Sequence, residues 1–230
     1  MSGLVGVACA EQSRYSAFWA SVSGLTLPEG WTVFQGQGHS VAANRNGIIR
    51  SALERGVGWV LFLDDDLIVP KDLIATLLST EQEAVVALSF RRKAPFQPIW
   101  FHTFGTSGDI GYRVEQIPPP GTLLPLAWAT AGGVLISTRV LRLMEAPWFT
   151  LGQHGTDQWN DDLDFFLKMA AAGVQLYGCS SAICGHMTTM DVWPHFSAKD
   201  GKWQTALSRG HDVFAVYGPA SAKEPVCGAK

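Results

Sequence analysis

Three consecutive aspartates, Asp64, Asp65 and Asp66, follow the apolar run Val57 to Leu63. Neighbouring carboxylates repel one another, and more strongly when water is partly excluded. A bound divalent cation removes the conflict, because hard cations favour carboxylate oxygen and fill the rest of their shell with water and substrate phosphates. In an extended chain Asp64 and Asp66 point one way and Asp65 the other. The alternative is a solvated acidic turn, but packing alone gives no reason for three acids to end a core strand. A second acidic group, Asn160, Asp161, Asp162 and Asp164, opens a stretch of helical periodicity; alone it reads as helix-start acids favoured by the helix dipole. A third feature is Cys184-Gly185-His186, where another apolar run ends in an imidazole, a side chain that serves as a metal ligand as well as a structural group. Arg91, Arg92 and Lys93 follow a further run and read either as a diphosphate contact or as a solvated basic turn.

The elements that must position these groups follow from periodicity. Leu4 to Ala10, Trp31 to Gln35, Val57 to Leu63, Ala84 to Phe90, Gly132 to Ser137 and Val174 to Ile183 read as strands, several apolar on both faces. Helices are expected over 13–22, from a Ser40 cap to Arg55, from Pro70 to Leu78, over 138–144 and over 161–172. Residues 94–125, rich in Pro, Gly and aromatics, read as irregular or hairpin structure over a sheet edge, and 151–160 as a loop. This alternation predicts an α/β, Rossmann-like fold: a mixed, mostly parallel sheet flanked by helices. In such sheets ligands collect at the carboxyl ends of the strands, where all the groups above would meet. Beyond His186 the sequence reads as loop-rich, with a short helix near Trp203 to Leu207. The expected organisation is one domain over 1–190 and a loop-rich extension, 191–230, packed on it.

Taken together and in order, these pieces resemble glycosyltransferases of the GT-A fold, in particular the compact bacterial and bacteriophage kind. The matching pieces are Ala43-Asn44-Arg45-Asn46, Leu61 to Asp66 as the DXD motif, Ser89 to Lys93, Gly132-Gly133-Val134-Leu135-Ile136, Asn160 to Phe166 as the acidic motif, and Gly185-His186. The resemblance implies that Mn²⁺ or Mg²⁺ is bound by Asp66 and His186, with Asp64 facing the metal or the donor ribose. It implies Asp162 as general base, with Asp161 as its substitute. Ala8, Ala10, Glu11, Arg45, Asn46, Asp65 and Lys93 would border the nucleotide. Gly132 and Gly133 would let backbone approach the donor sugar. The donor would be a UDP- or GDP-sugar and the acceptor a hydroxyl on a protein, glycan, small molecule or modified DNA, including a phage protein. The acidic motif departs from the usual pattern in having Asp161 where Glu is common, and the first strand ends in Ala8-Cys9-Ala10-Glu11 rather than a Pro-Thr turn. Trp148, Trp159 and Trp193 are candidate stacking surfaces for an acceptor sugar.

Composition bounds the answer. The chain has 230 residues, 47% hydrophobic and 16% charged, enough for one sizeable core. A net charge of −3 gives no bulk attraction to nucleic acid or anionic membrane. No apolar run approaches membrane-spanning length, and four cysteines without a CxxC pair suit a reducing cytoplasm; the resemblance implies that of a bacterium or phage-infected host. Two rival enzymes share features. A haloacid-dehalogenase-like phosphatase also uses Asp-x-Asp, but on a first strand and followed by a Gly-Thr type pair rather than Leu67-Ile68. A sugar nucleotidyltransferase needs a Gly-rich basic loop after the first strand, which Ala8 to Arg14 does not supply. A non-catalytic nucleotide-sugar-binding module is the third alternative.

Overall fold

The computed structural model describes residues 1–9, 16–36, 38–92, 96–105, 111–151, 153–154, 157–158, 161–188, 191–209 and 212–217. In chain order the first half holds β1 (Gly3–Ala8), α1 (Ser16–Ser23), β2 (Trp31–Gln35), α2 (Val41–Glu54), β3 (Trp59–Asp64), β4 (Leu67–Ile68), α3 (Leu73–Leu78) and β5 (Ala84–Leu88). The middle holds β6 (Trp100–Phe101), β7 (Leu123–Leu126), β8 (Trp128–Ala129), β9 (Val134–Ser137) and α4 (Thr138–Leu143). The last part holds β10 (Gln153–His154), β11 (Asp157–Gln158), α5 (Asp161–Ala171), β12 (Leu176–Ile183), β13 (Gly185–His186), β14 (Asp191–Ser197), β15 (Lys202–Arg209) and β16 (Asp212–Tyr217).

Seven strands form the main sheet in the order β2-β1-β3-β9-β5-β12-β7. The β1–β2, β1–β3 and β5–β12 pairs are parallel; β9 runs antiparallel to both β3 and β5, and β7 antiparallel to β12. The sheet is therefore mixed, as expected. Because β9 is reversed, its beginning lies on the rim where the parallel strands end, so Gly132 meets Asp64 there. β3 shows why its sequence is apolar throughout. Val60 and Phe62 join a cluster with Ile48, Ile49 and Phe165, while Leu61 and Leu63 join one with Phe18, Val22, Leu73 and Leu77. Helices α2, α4 and α5 cover the first face, and α1 and α3 the second. Each such fully buried side chain contributes on the order of 1.5–3 kcal/mol over its exposed state.

Local signals account for the helix ends. The Ser40 hydroxyl accepts from Ala43 N at 3.1 Å and caps α2, and Gly56, with φ +64, follows the Arg55 cap. Helix α3 begins at Leu73 rather than at Pro70; Pro70 lies in the preceding turn, whose carbonyl accepts from Leu73 N. A two-stranded hairpin, β10 with β11, stands within the stretch expected as loop.

The C-terminal segment corrects the sequence reading most. Strands β14, β15 and β16 join β13 and β4 in a five-stranded sheet, in place of the expected loops and the helix at 203–207. The signal was present: Asp200-Gly201 lies between two runs of β-favouring residues, a hairpin signature, and Gly201 adopts φ +61. Pro194, opposite Thr205 in the β14–β15 ladder, masked it, because proline argues against a strand interior. Among the described residues no helix is long and apolar enough to cross a membrane.

Candidate functional site

Asp64 closes β3, and the chain turns through Asp65 and Asp66 into the two residues of β4. β4 pairs antiparallel with β13, with Leu67 opposite His186, and Met187 N donates to Asp66 O at 2.7 Å. This short ladder places an imidazole from the far end of the sequence beside the aspartates. His186 Nε2 lies 3.5 Å from Asp66 Oδ1, and Nδ1 lies 2.9 Å from Phe90 O. A carbonyl only accepts, so Nδ1 carries hydrogen and Nε2 is the ring nitrogen that faces Asp66: protonated, it donates to that carboxylate, and a cation could bind there only in place of that proton, on a ring oriented from behind. The other Asp66 oxygen, Oδ2, lies 2.8 Å from Arg92 Nη1. Burial pushes the Asp66 carboxyl up, but the hydrogen bond and charge of His186 and the charge of Arg92 outweigh it and hold the group below its ordinary value.

Asp66 and His186 are the two side chains that could together hold a divalent cation with open positions. Among the described residues no three His, Cys, Asp or Glu side chains form a complete metal set. A cation on these two groups would draw its other ligands from water and phosphate oxygens, the usual habit of Mg²⁺ and similar ions.

The second half of the site is built around Arg45, which α2 carries into the interior at 3% exposure. Its Nη2 donates to Asp64 Oδ1 at 2.7 Å, and Nη1 donates to Asp162 Oδ1 at 2.7 Å and Asp161 Oδ2 at 2.9 Å. The Phe149 ring stacks beneath it, 5.3 Å from the guanidinium carbon. Burial opposes its charge, but the charges of Asp162, Asp64 and Asp161 more than compensate, so it stays protonated. One guanidinium among three carboxylates leaves a negative surplus on the rim. Asp162 Oδ1 also accepts from Ala131 N at 3.1 Å. Its carboxyl is raised to about 6: burial lifts it, Arg45 pulls it down, and Asp64 and Asp161 push it up again. A buried carboxyl poised near neutrality has the protonation equilibrium of a general base.

The other expected site residues have these partners within the chain. Arg45 bridges the two acidic motifs, and the Asn46 amide bonds the backbone of Phe149 at both ends, Nδ2 to O at 2.7 Å and N to Oδ1 at 3.1 Å. Asn46 thus anchors the segment that supports Arg45. A Cβ on Gly132 would lie 2.5 Å from Asp64 Oδ2, so this glycine makes room for the aspartate itself. Gly133 adopts φ +85 and donates its N–H to Phe62 O at 2.8 Å, seating β9 on β3. Ala8 is buried opposite Asp64 in the β1–β3 register. Asp65 is buried on the β1 side, where burial and then its charge push the Cys9 thiol up to about 11. Asp164 is occupied structurally by Thr150 and Lys168. Trp148 is a core residue that donates to Leu141 O, and Trp193 donates to Ser208 Oγ. Ala10, Glu11, Lys93, Trp159 and Asn160 lie outside the described residues.

Sequence reasoning missed the bridging role of Arg45. The signal was an arginine on the same helical face as Ile48, Ile49 and Ala52, since a charged group at a core position requires buried partners.

No known protein family matches the sequence, and no curated protein matches it. Among solved structures, the chain is similar to "A197 from STIV", with a TM-score of 0.62 and 15% identity over 92% of this chain and 96% of that one. A "UDP-glucose pyrophosphorylase from acinetobacter baumanii" aligns with a TM-score of 0.39 and 10% identity over 69% of this chain and 56% of that one, below the level of a shared overall fold. What the first likeness establishes is architecture: this chain and A197 share one α/β fold over nearly their whole lengths.

Proposed function

We propose that this protein is a metal-dependent glycosyltransferase that moves a sugar from a nucleoside-diphosphate sugar to an acceptor hydroxyl. The observation that carries the reading is the convergence on one rim of three sequence-distant motifs: Asp64 and Asp66, Asp161 and Asp162, and His186. Asp66 and His186 would hold Mn²⁺ or Mg²⁺. Such a cation, when bound, neutralises charge developing on the departing diphosphate. In an inverting reaction Asp162 accepts the proton of the acceptor hydroxyl as its oxygen attacks the anomeric carbon. Arg45 keeps Asp162 and Asp64 at a set separation and does not itself meet substrate.

The phosphatase reading needs an aspartate free to attack phosphorus. Asp64, the first acid of the triplet, is held by Arg45 and lies against Gly132, which disfavours that role.

Nucleotide sugars screened by thermal shift with and without Mn²⁺ test the proposal. One UDP- or GDP-sugar should raise the melting temperature only when Mn²⁺ is present, by about 5–10 °C at a hundredfold excess over its Kd. Asp66→Ala should lose that shift. A Mn²⁺-dependent shift of equal size in Asp66→Ala, or no stabilising nucleotide sugar at all, would overturn the reading.

A further inference from the structure

Arg92 stands where a cation is needed. Its Nη1 lies 2.8 Å from Asp66 Oδ2, while the opposite oxygen of the same carboxylate faces His186 Nε2 at 3.5 Å. Unlike Arg45, sealed in the core, Arg92 keeps 42% of its side chain open to solvent. It follows β5 by only a few residues, and Phe90, two positions earlier, is the residue whose carbonyl orients His186. One short segment thus supplies both the backbone group that aims the imidazole and a positive charge aimed at its partner carboxylate. A guanidinium and a divalent cation cannot both neutralise the same carboxylate at full strength. The guanidinium fork is also well matched to phosphate oxygens, which it binds at two points.

We propose that Arg92 is a built-in counter-ion that holds Asp66 until a divalent cation arrives with a diphosphate, and then moves its charge from that carboxylate to the diphosphate. This inference rests on the metal-dependent reading above. The cation arriving alone must displace Arg92 from Asp66 and leaves the guanidinium without an anion. The cation arriving with a diphosphate gives Arg92 a new partner within side-chain reach. Metal and diphosphate therefore bind cooperatively, and by linkage each raises the affinity for the other equally. The consequence is that Asp66 retains little free metal without donor, and donor is gripped only when metal is present. No covalent step is involved.

The test uses the full chain, Mn²⁺ and inorganic pyrophosphate, so that it depends on neither base nor sugar. Free Mn²⁺ is followed by its EPR signal, and pyrophosphate binding by calorimetry at saturating Mn²⁺. Arg92→Gln should bind Mn²⁺ alone about twofold to fivefold more tightly than wild type, the equivalent of removing one half-exposed ion pair. It should bind pyrophosphate at saturating Mn²⁺ about tenfold more weakly, as expected for a lost charge-assisted hydrogen bond. The opposite signs are the signature, because a merely unstable variant would weaken both. Arg92→Gln binding Mn²⁺ no more tightly than wild type, or pyrophosphate equally well, would overturn the proposal. His186→Ala separates the two layers. If His186→Ala binds Mn²⁺ like wild type, the metal site itself is misplaced and both readings fail. If it loses Mn²⁺ while Arg92→Gln behaves as wild type, only the role of Arg92 fails.

Discussion

Asp162 keeps a carboxyl raised to about 6 although Arg45 Nη1 lies 2.7 Å away, because burial and the charges of Asp64 and Asp161 outweigh that guanidinium. A general base must be ionised to accept a proton, so transfer should rise from about pH 5 to about pH 7 and then level, with an inflection near the Asp162 value. Asp162→Asn removes the acceptor of the proton. It should lower transfer by about 10²- to 10⁴-fold and abolish that inflection, while leaving Mn²⁺-dependent donor binding in place. Rate measurements across this pH range in both proteins check it; a variant that transfers sugar as fast as wild type removes Asp162 from the chemistry. The same scale explains why Arg91 to Lys93 could not be assigned from type alone. Only the distance to Asp66 separates Arg92 from an idle surface charge.

At the scale of elements, the site depends on two junctions. The β4–β13 ladder brings His186 beside Asp66, and the reversal of β9 brings Gly132 beside Asp64. Glycine is needed at the second junction because a side chain there would collide with the carboxylate that Arg45 holds. Gly132→Ala should therefore destabilise by about 1–3 kcal/mol, as overpacking usually does, and reduce transfer by disturbing the Arg45–Asp64 contact. Gly47, inside α2 with nothing within 4 Å of its would-be Cβ, is the matched comparison. Gly47→Ala should raise stability by about 0.5–1 kcal/mol through helix propensity alone. Denaturant melts of the two variants should move in opposite directions; a Gly132→Ala protein as stable as wild type would mean that Asp64 has room to spare. The strand pattern and the Ser40 cap were legible in sequence. The two-residue β4 and β13 were not, since so short an apolar stretch carries no period of its own.

Over the whole molecule, the C-terminal sheet belongs to the same packing as the elements that carry the candidate site. Val192, Trp203 and Leu207 are buried in the cluster that contains Phe62, Phe149 and Phe165. Trp203 also donates to Pro118 O at 2.6 Å, tying β15 to the segment before β7. We expect this sheet and the main sheet to unfold together. Leu207→Ala, a truncation at 4% exposure, should cost about 2–5 kcal/mol and lower the midpoint of one cooperative transition. Calorimetry decides it: a second, separate transition in the variant would make the C-terminal sheet an independent unit.

The residue types alone determined that the chain builds a layered α/β core, that its acids leave a buried strand and open a helix, and that acids so close together need positively charged partners. Those conclusions follow from local rules, in which periodicity, caps and like-charge repulsion act over a few residues. Tertiary structure decided which acids share an arginine, which one meets the imidazole, and that the chain past His186 adds strands rather than loops. Each of these depends on residues brought together across the sequence: Arg45 with Asp161 and Asp162, Asp66 with His186, and Pro194 with Thr205. Such contacts form because the sheet's strand order places them there, and strand order is set by how all the apolar faces can be buried at once.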